Sequence, residues 1–178
     1  HVMKIINQYN YVPNQFAKNI FSKQSNTIAI FIYDMENPFF ISLIKTLNRI
    51  AFDNKQALII CDTENNKDRE LEYLNYCQSS RVMGLIITEG TSSEICYKAA
   101  NSMKIVLLDR MIENCNYPTV SSDNREGIEK VIDYLNNLNH KKIAFVAGDQ
   151  KEFSARERLN SFIDVMKERQ FELPSDYI

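Results

Sequence analysis

Glycine is scarce in this chain, with four in 178 residues. None stands in a GxGxxG pattern or in GxxxxGK followed by Ser or Thr. Both motifs need glycine so that the backbone can close on phosphate, so a dinucleotide site and a phosphate-binding loop are excluded. Cysteine is equally sparse. Cys61, Cys77, Cys96 and Cys115 make no CxxC or CxxH pair, which argues against a zinc cluster or a redox dithiol. Cys61, inside LIICDT, and Cys77, on a helix face, read as small buried hydrophobes. Reduced thiols and the lack of a signal peptide predict a cytoplasmic location. No apolar run approaches the roughly 18 residues of a membrane span, so no membrane partner is expected. There is no nucleophile elbow, no metal-ligand cluster, and no His near the strand-end Asp residues in sequence. The expectation is therefore no enzyme, no metal and no cofactor.

One further absence is local. Residues 1–26 hold Lys4, Lys18 and Lys23 but no Asp or Glu, a charge of +3. The whole chain carries −2, so the remainder carries −5. A short basic segment ahead of an acidic body suggests contact with a polyanion. With 44% hydrophobic and 25% charged residues, that body has the composition of an ordinary globular protein.

Beyond Asn26, short apolar runs alternate with amphipathic stretches. TIAIFIY (27–33), ALIICDT (57–63), GLIIT (84–88), KIVLLD (104–109) and KIAFVAG (142–148) are apolar on both faces, as strands of a covered parallel sheet are. Between them run helices of 3.6 periodicity. One uses Phe40, Leu43, Ile44, Leu47, Ile50 and Ala51; another uses Ile128, Val131, Ile132, Leu135 and Leu138. Asn37 before Pro38, and Asp123 three residues before Glu126, are helix-start signals. The pattern predicts a doubly wound α/β domain built on a parallel sheet.

Ligands of such sheets bind beyond the carboxyl ends of the strands. Those ends offer Tyr33–Phe40, Thr63–Asn66, Thr88–Thr91, Asp109–Arg110 and Gly148–Ser154. Aromatic rings beside carboxylates and an Arg suit a small polyhydroxylated ligand, whose ring faces stack while its hydroxyls need polar partners. Simpler roles compete at each position. One of Phe39 and Phe40 can be plain core, Asp34 and Asp109 can cap turns, and Arg156 or Arg158 can belong to a solvated helix face. His140 reads as a charge partner at a helix C-terminus.

In order along the chain, NYVPN with FAKNIFSKQSNTIAIFIYD, DMENPFF, LDR (108–110), VSSDNREG (120–127), LNHKKIAFVAG (138–148) and SARERLNSF (154–162) resemble the LacI/GalR family of bacterial transcription regulators. Asn10, Asn139 and Ser161 stand where that family often has Gly, and Ile20 where it usually has Leu. The resemblance implies a periplasmic-binding-protein-like (type I) core with an N-terminal helical hinge segment, truncated at both ends. Residues 1–11 would end a helix-turn-helix headpiece and 12–26 would form the hinge helix and linker. Residues 27–140 would form the N-terminal lobe of the effector-binding core, and 141–178 would start the C-terminal lobe. It further implies a DNA-binding regulator, a repressor by expectation, that works as a homodimer on double-stranded operator DNA. A small-molecule effector, a sugar or sugar derivative, would control it. Asn14, Ala17, Lys18 and Ile20 would meet DNA, with Ile20 as a minor-groove wedge. Tyr33, Asn37, Phe39, Phe40, Asp109 and Arg158 would meet the effector. The alternative within the same fold is a solute-binding protein of a sugar transport system.

Overall fold

The computed structural model describes residues 8–9, 25–88, 92–112 and 116–178. The hinge positions Asn14, Ala17, Lys18 and Ile20, and also Cys115, lie outside these residues. From Thr27 onward the elements are β1 (Thr27–Ile32), α1 (Pro38–Asp53), β2 (Ala57–Asp62), α2 (Lys67–Ser79), β3 (Gly84–Ile87), α3 (Ser93–Ala100) and β4 (Lys104–Leu108). They continue with β5 (Thr119–Val120), α4 (Asn124–Asn137), α5 (Phe153–Glu168) and a 3-10 turn at Ser175–Tyr177.

The sheet is parallel, in the order β2-β1-β3-β4-β5. Alternate residues of β1 serve opposite faces. Ile30 and Ile32 pack with Phe40, Leu43, Ile44 and Leu47 of α1. Ala29 and Phe31 join Leu74 and Cys77 of α2 and Ile95 and Cys96 of α3 on the other side. Both faces are covered, which is why β1 reads as a continuous apolar run. Cys61, Cys77 and Cys96 are buried free thiols. The hydrogen bond with Cys77, together with burial, pushes the Cys61 thiol up, so it stays protonated at neutral pH.

Helix starts follow the sequence signals. Asn37 Oδ1 accepts from the Phe39 N–H at 3.0 Å, and Asp123 Oδ1 from the Glu126 N–H at 2.8 Å. Helix ends follow a different rule. After α1, α2, α4 and α5 the chain turns through a left-handed residue at Lys55, Arg81, Asn139 and Gln170, with φ between 53° and 64°. In each case the next N–H reaches back to the last turn: Gln56 to Ala51 O, Val82 to Cys77 O, His140 to Leu135 O and Phe171 to Met166 O. These are Schellman closures, usually built with glycine. The glycine-poor chain makes all four without one.

Two expectations need correction. KIAFVAG (142–148) is not a strand. Ile143 is buried and Phe145 half-buried against α4 and α5, while Val146 is 97% exposed. The alternation is that of a strand, but the recorded backbone bond is Phe145 N–H to Tyr177 O at 2.8 Å. A ladder needs a row of such bonds, and this segment has no strand beside it among the described residues. Conversely, β5 was not expected. Its two residues pair with Leu107 and Leu108 and carry no apolar run that would announce them.

Helices α4 and α5 pack on each other around Ile132, Phe162, Val165 and Met166, a cluster separate from those of the sheet. Val131 and Leu138, expected on the apolar face of α4, are about half exposed. Arg125 of α4 bonds Glu168 of α5 at 2.7 Å, and Asp133 bonds Arg169 at 3.0 Å.

Candidate functional site

In a sheet of order 2-1-3-4-5 the first crossover runs from β1 outward to β2 and the next returns past β1 to β3. A crevice opens where the winding reverses, at the carboxyl ends of β1 and β3. A cavity of about 370 Å³ lies there, within the range of small-molecule sites. Tyr33 follows β1, and Asn37, Phe39 and Phe40 open α1. Thr88 follows β3, Leu108 ends β4 with Asp109 just beyond it, and Ser122 follows β5. Ser154 and Arg158, from the first turns of α5, complete the lining.

All six residues expected to meet a ligand, Tyr33, Asn37, Phe39, Phe40, Asp109 and Arg158, therefore line one cavity. The strand-end group Thr63–Asn66 does not. Strand β2 lies outside β1, so its end opens away from the crevice. There Thr63 Oγ1 donates to Ile32 O, and Asn66 caps α2. Asp34 is likewise absent from the lining; its Oδ1 accepts from the Glu36 N–H at 2.9 Å, the turn-capping role.

Within the cavity the aromatic residues divide. Phe40 is 3% exposed and part of the core, whereas Phe39 is 50% exposed. Edge-to-face contacts hold the trio in place, with Tyr33 and Phe40 centroids 5.1 Å apart and Phe39 and Phe40 5.3 Å apart. Phe39 is thus the ring with an open face. The two arginines of α5 divide as well. Arg156 Nη1 donates to Gln150 O and Lys151 O, turning back on its own helix start. Arg158, one turn further than Ser154, faces the cavity.

Asp109 has two attachments and a strained backbone. Its N–H donates to Val120 O at 2.9 Å, and its Oδ1 accepts from the Ser122 N–H at 2.8 Å. Its φ of 48° is left-handed, a conformation that costs a residue with a Cβ and tends to persist at functional sites. The turn-capping role and the cavity-lining role are thus both present in one side chain. Thr88 Oγ1 donates to Phe31 O at 2.9 Å, which fixes its methyl and hydroxyl at the cavity floor. Ser122 was missed by the strand-end argument because β5, only two residues long, has no apolar signature. No group of three metal-ligating side chains occurs among the described residues.

Residues 25–178 match the family described as periplasmic binding proteins and sugar binding domain of the LacI family. The chain belongs to that family. The ribose operon repressor of Halalkalibacterium halodurans is 29% identical over 171 residues, 95% of this chain and 50% of that protein. Catabolite control protein A of Priestia megaterium is 30% identical over 153 residues, 85% of this chain and 46% of that one. The LacI-family chain thus spans about half the length of the curated relatives it matches. Among solved structures, it resembles a periplasmic binding protein/LacI transcriptional regulator from Alkaliphilus metalliredigens complexed with D-xylulofuranose. The TM-score is 0.70 at 26% identity, over 83% of this chain and 55% of that one. No helix among the described residues is long and apolar enough to cross a membrane.

Proposed function

We propose that the protein is a DNA-binding transcriptional repressor of the LacI family, cytoplasmic and homodimeric, whose DNA affinity is set by a sugar or sugar derivative bound in the cavity. The observation that carries this reading is the convergence of an open aromatic face at Phe39, the Asp109 carboxylate and the Arg158 guanidinium on one crevice. A sugar presents an apolar ring face for stacking and hydroxyls that both donate and accept. Asn37, Asp109 and Arg158 supply both kinds of polar partner. The two named relatives are a repressor and a control protein, which supports a regulator over a transport protein.

In this reading Asn14, Ala17, Lys18 and Ile20 form the DNA-facing side of a hinge helix, and Ile20 wedges between base steps. A helix of about ten residues is not stable alone in water, so its folding can be coupled to DNA and to the partner subunit. Sugar binding at the crevice shifts α5 relative to the sheet and so the spacing of the hinges. Because α4 packs with α5 rather than on the sheet, we place the boundary between the two lobes near residues 121–123 rather than at 140.

The test is operator binding by the intact protein, with and without sugars, for wild type and Ile20→Asp. The expected result is a sugar-dependent change in wild-type affinity and loss of specific binding in the variant. Undiminished affinity in Ile20→Asp would remove the wedge assignment.

A further inference from the structure

Glu70 is an ionisable side chain buried to 1% exposure on α2, outside the cavity and unused by the reading above. Both of its carboxylate oxygens accept from the Ser92 backbone N–H, at 3.0 and 3.2 Å. Ser92 is the N-cap of α3, yet it makes no side-chain cap bond of its own. A carboxylate from a neighbouring helix thus sits at the positive end of α3, where a buried negative charge is best tolerated. An apolar side chain of the same length would pack here without desolvation cost, so the charge is explained by what it holds.

The next residue carries the connection onward. Ser93 Oγ accepts from Arg110 Nη2 at 3.4 Å. Arg110 directly follows Asp109, the left-handed residue on the cavity wall whose Oδ1 holds the Ser122 N–H. The start of α3 is therefore gripped from α2 by Glu70 and from the end of β4 by Arg110.

We infer that Glu70 is a positioning residue for the cavity: it fixes the start of α3, which anchors Arg110 and so keeps Asp109 and Ser122 in place. Its bearing on effector binding rests on the proposed sugar site, whereas the relay itself can be tested with no ligand present.

The experiment is amide hydrogen exchange by NMR on the intact protein and three variants. In Glu70→Ala, exchange at both Ser92 and Ser122 should accelerate at least tenfold, while α1 stays protected. Glu70→Gln, which keeps an acceptor oxygen, should remain within threefold of wild type at both amides. Arg110→Met enters the relay from the other side and should accelerate Ser122 while leaving Ser92 protected. This variant keeps the test decisive if Glu70→Ala does not fold. Unchanged Ser92 exchange in Glu70→Ala would overturn the inference. So would acceleration confined to Ser92, which would make Glu70 a local cap, or a Ser122 amide indifferent to Arg110→Met. Sugar affinity plays no part in these readouts, so a failure of the sugar assignment would leave them unaffected.

Discussion

Asp109 holds Ser122 across the mouth of the cavity, its Oδ1 accepting the Ser122 N–H at 2.8 Å while its own φ is 48°. Asp109→Ala should therefore lose twice, in the hydrogen bond to a charged acceptor and in the left-handed backbone, which Asn tolerates better than Ala. Because the residue is half-buried, solvent discounts the first loss. Urea unfolding should show a loss of about 1–2 kcal/mol for Asp109→Ala and less than about 1 kcal/mol for Asp109→Asn.

The two adjacent phenylalanines separate packing from recognition. Phe40 is buried in the α1 face of the core, so Phe40→Ala should cost about 3–5 kcal/mol in chemical denaturation. Phe39 is half exposed, and Phe39→Ala should move the unfolding midpoint far less.

Left-handed residues with side chains close four helices, and three of them, Lys55, Arg81 and Gln170, are types that disfavour that conformation. Replacing each by Gly relieves the Cβ clash and concedes some unfolded-state entropy. Each change should stabilise by about 0.5–1 kcal/mol. Gln56 and Met83 meet at 3.3 Å, so the Lys55 and Arg81 turns adjoin, and their two gains should couple rather than simply add. Asn139, already suited to the position, should gain least.

The bonds between α4 and α5 predict an acid and salt response. Hydrogen bonding to Arg169 holds the Asp133 carboxyl below its ordinary 3.8, and Arg125 does the same for Glu168 below 4.5. A depressed folded-state value means the unfolded chain binds protons first. The contribution is thus fully present above pH 5 and disappears as pH falls through and below the ordinary carboxylate range. The pairs are exposed, so the effect is small and screened by salt. Asp133→Asn should flatten the acid limb of the stability curve, read by thermal melts between pH 3 and pH 6.

Much of this was legible in the chain because its signals are local. Four apolar runs became β1 to β4, and Asn37 and Asp123 capped the helices they precede. The six ligand candidates follow from strand ends and from the family resemblance, and the sheet order brings them to one cavity. What escaped depends on partners distant in sequence. Strand β5 exists only because Leu107 and Leu108 accept it, and residues 142–148 lack the neighbour that would make them a strand. Likewise, no sequence pattern announces that Glu70 serves Ser92, 22 positions away.

The crevice between α5 and the strand ends is the proposed sugar site. Thermal melts of the intact protein against a panel that includes D-ribose, D-glucose and sucrose test it most directly, run in parallel on Phe39→Ala and Arg158→Met. A ligand held only by the native state at a hundred times its Kd stabilises by about 2.7 kcal/mol. At least one sugar should raise the wild-type melting temperature, and both variants should lose most of that rise. A sugar response that survives intact in both variants would contradict the sugar assignment, as would no response to any sugar.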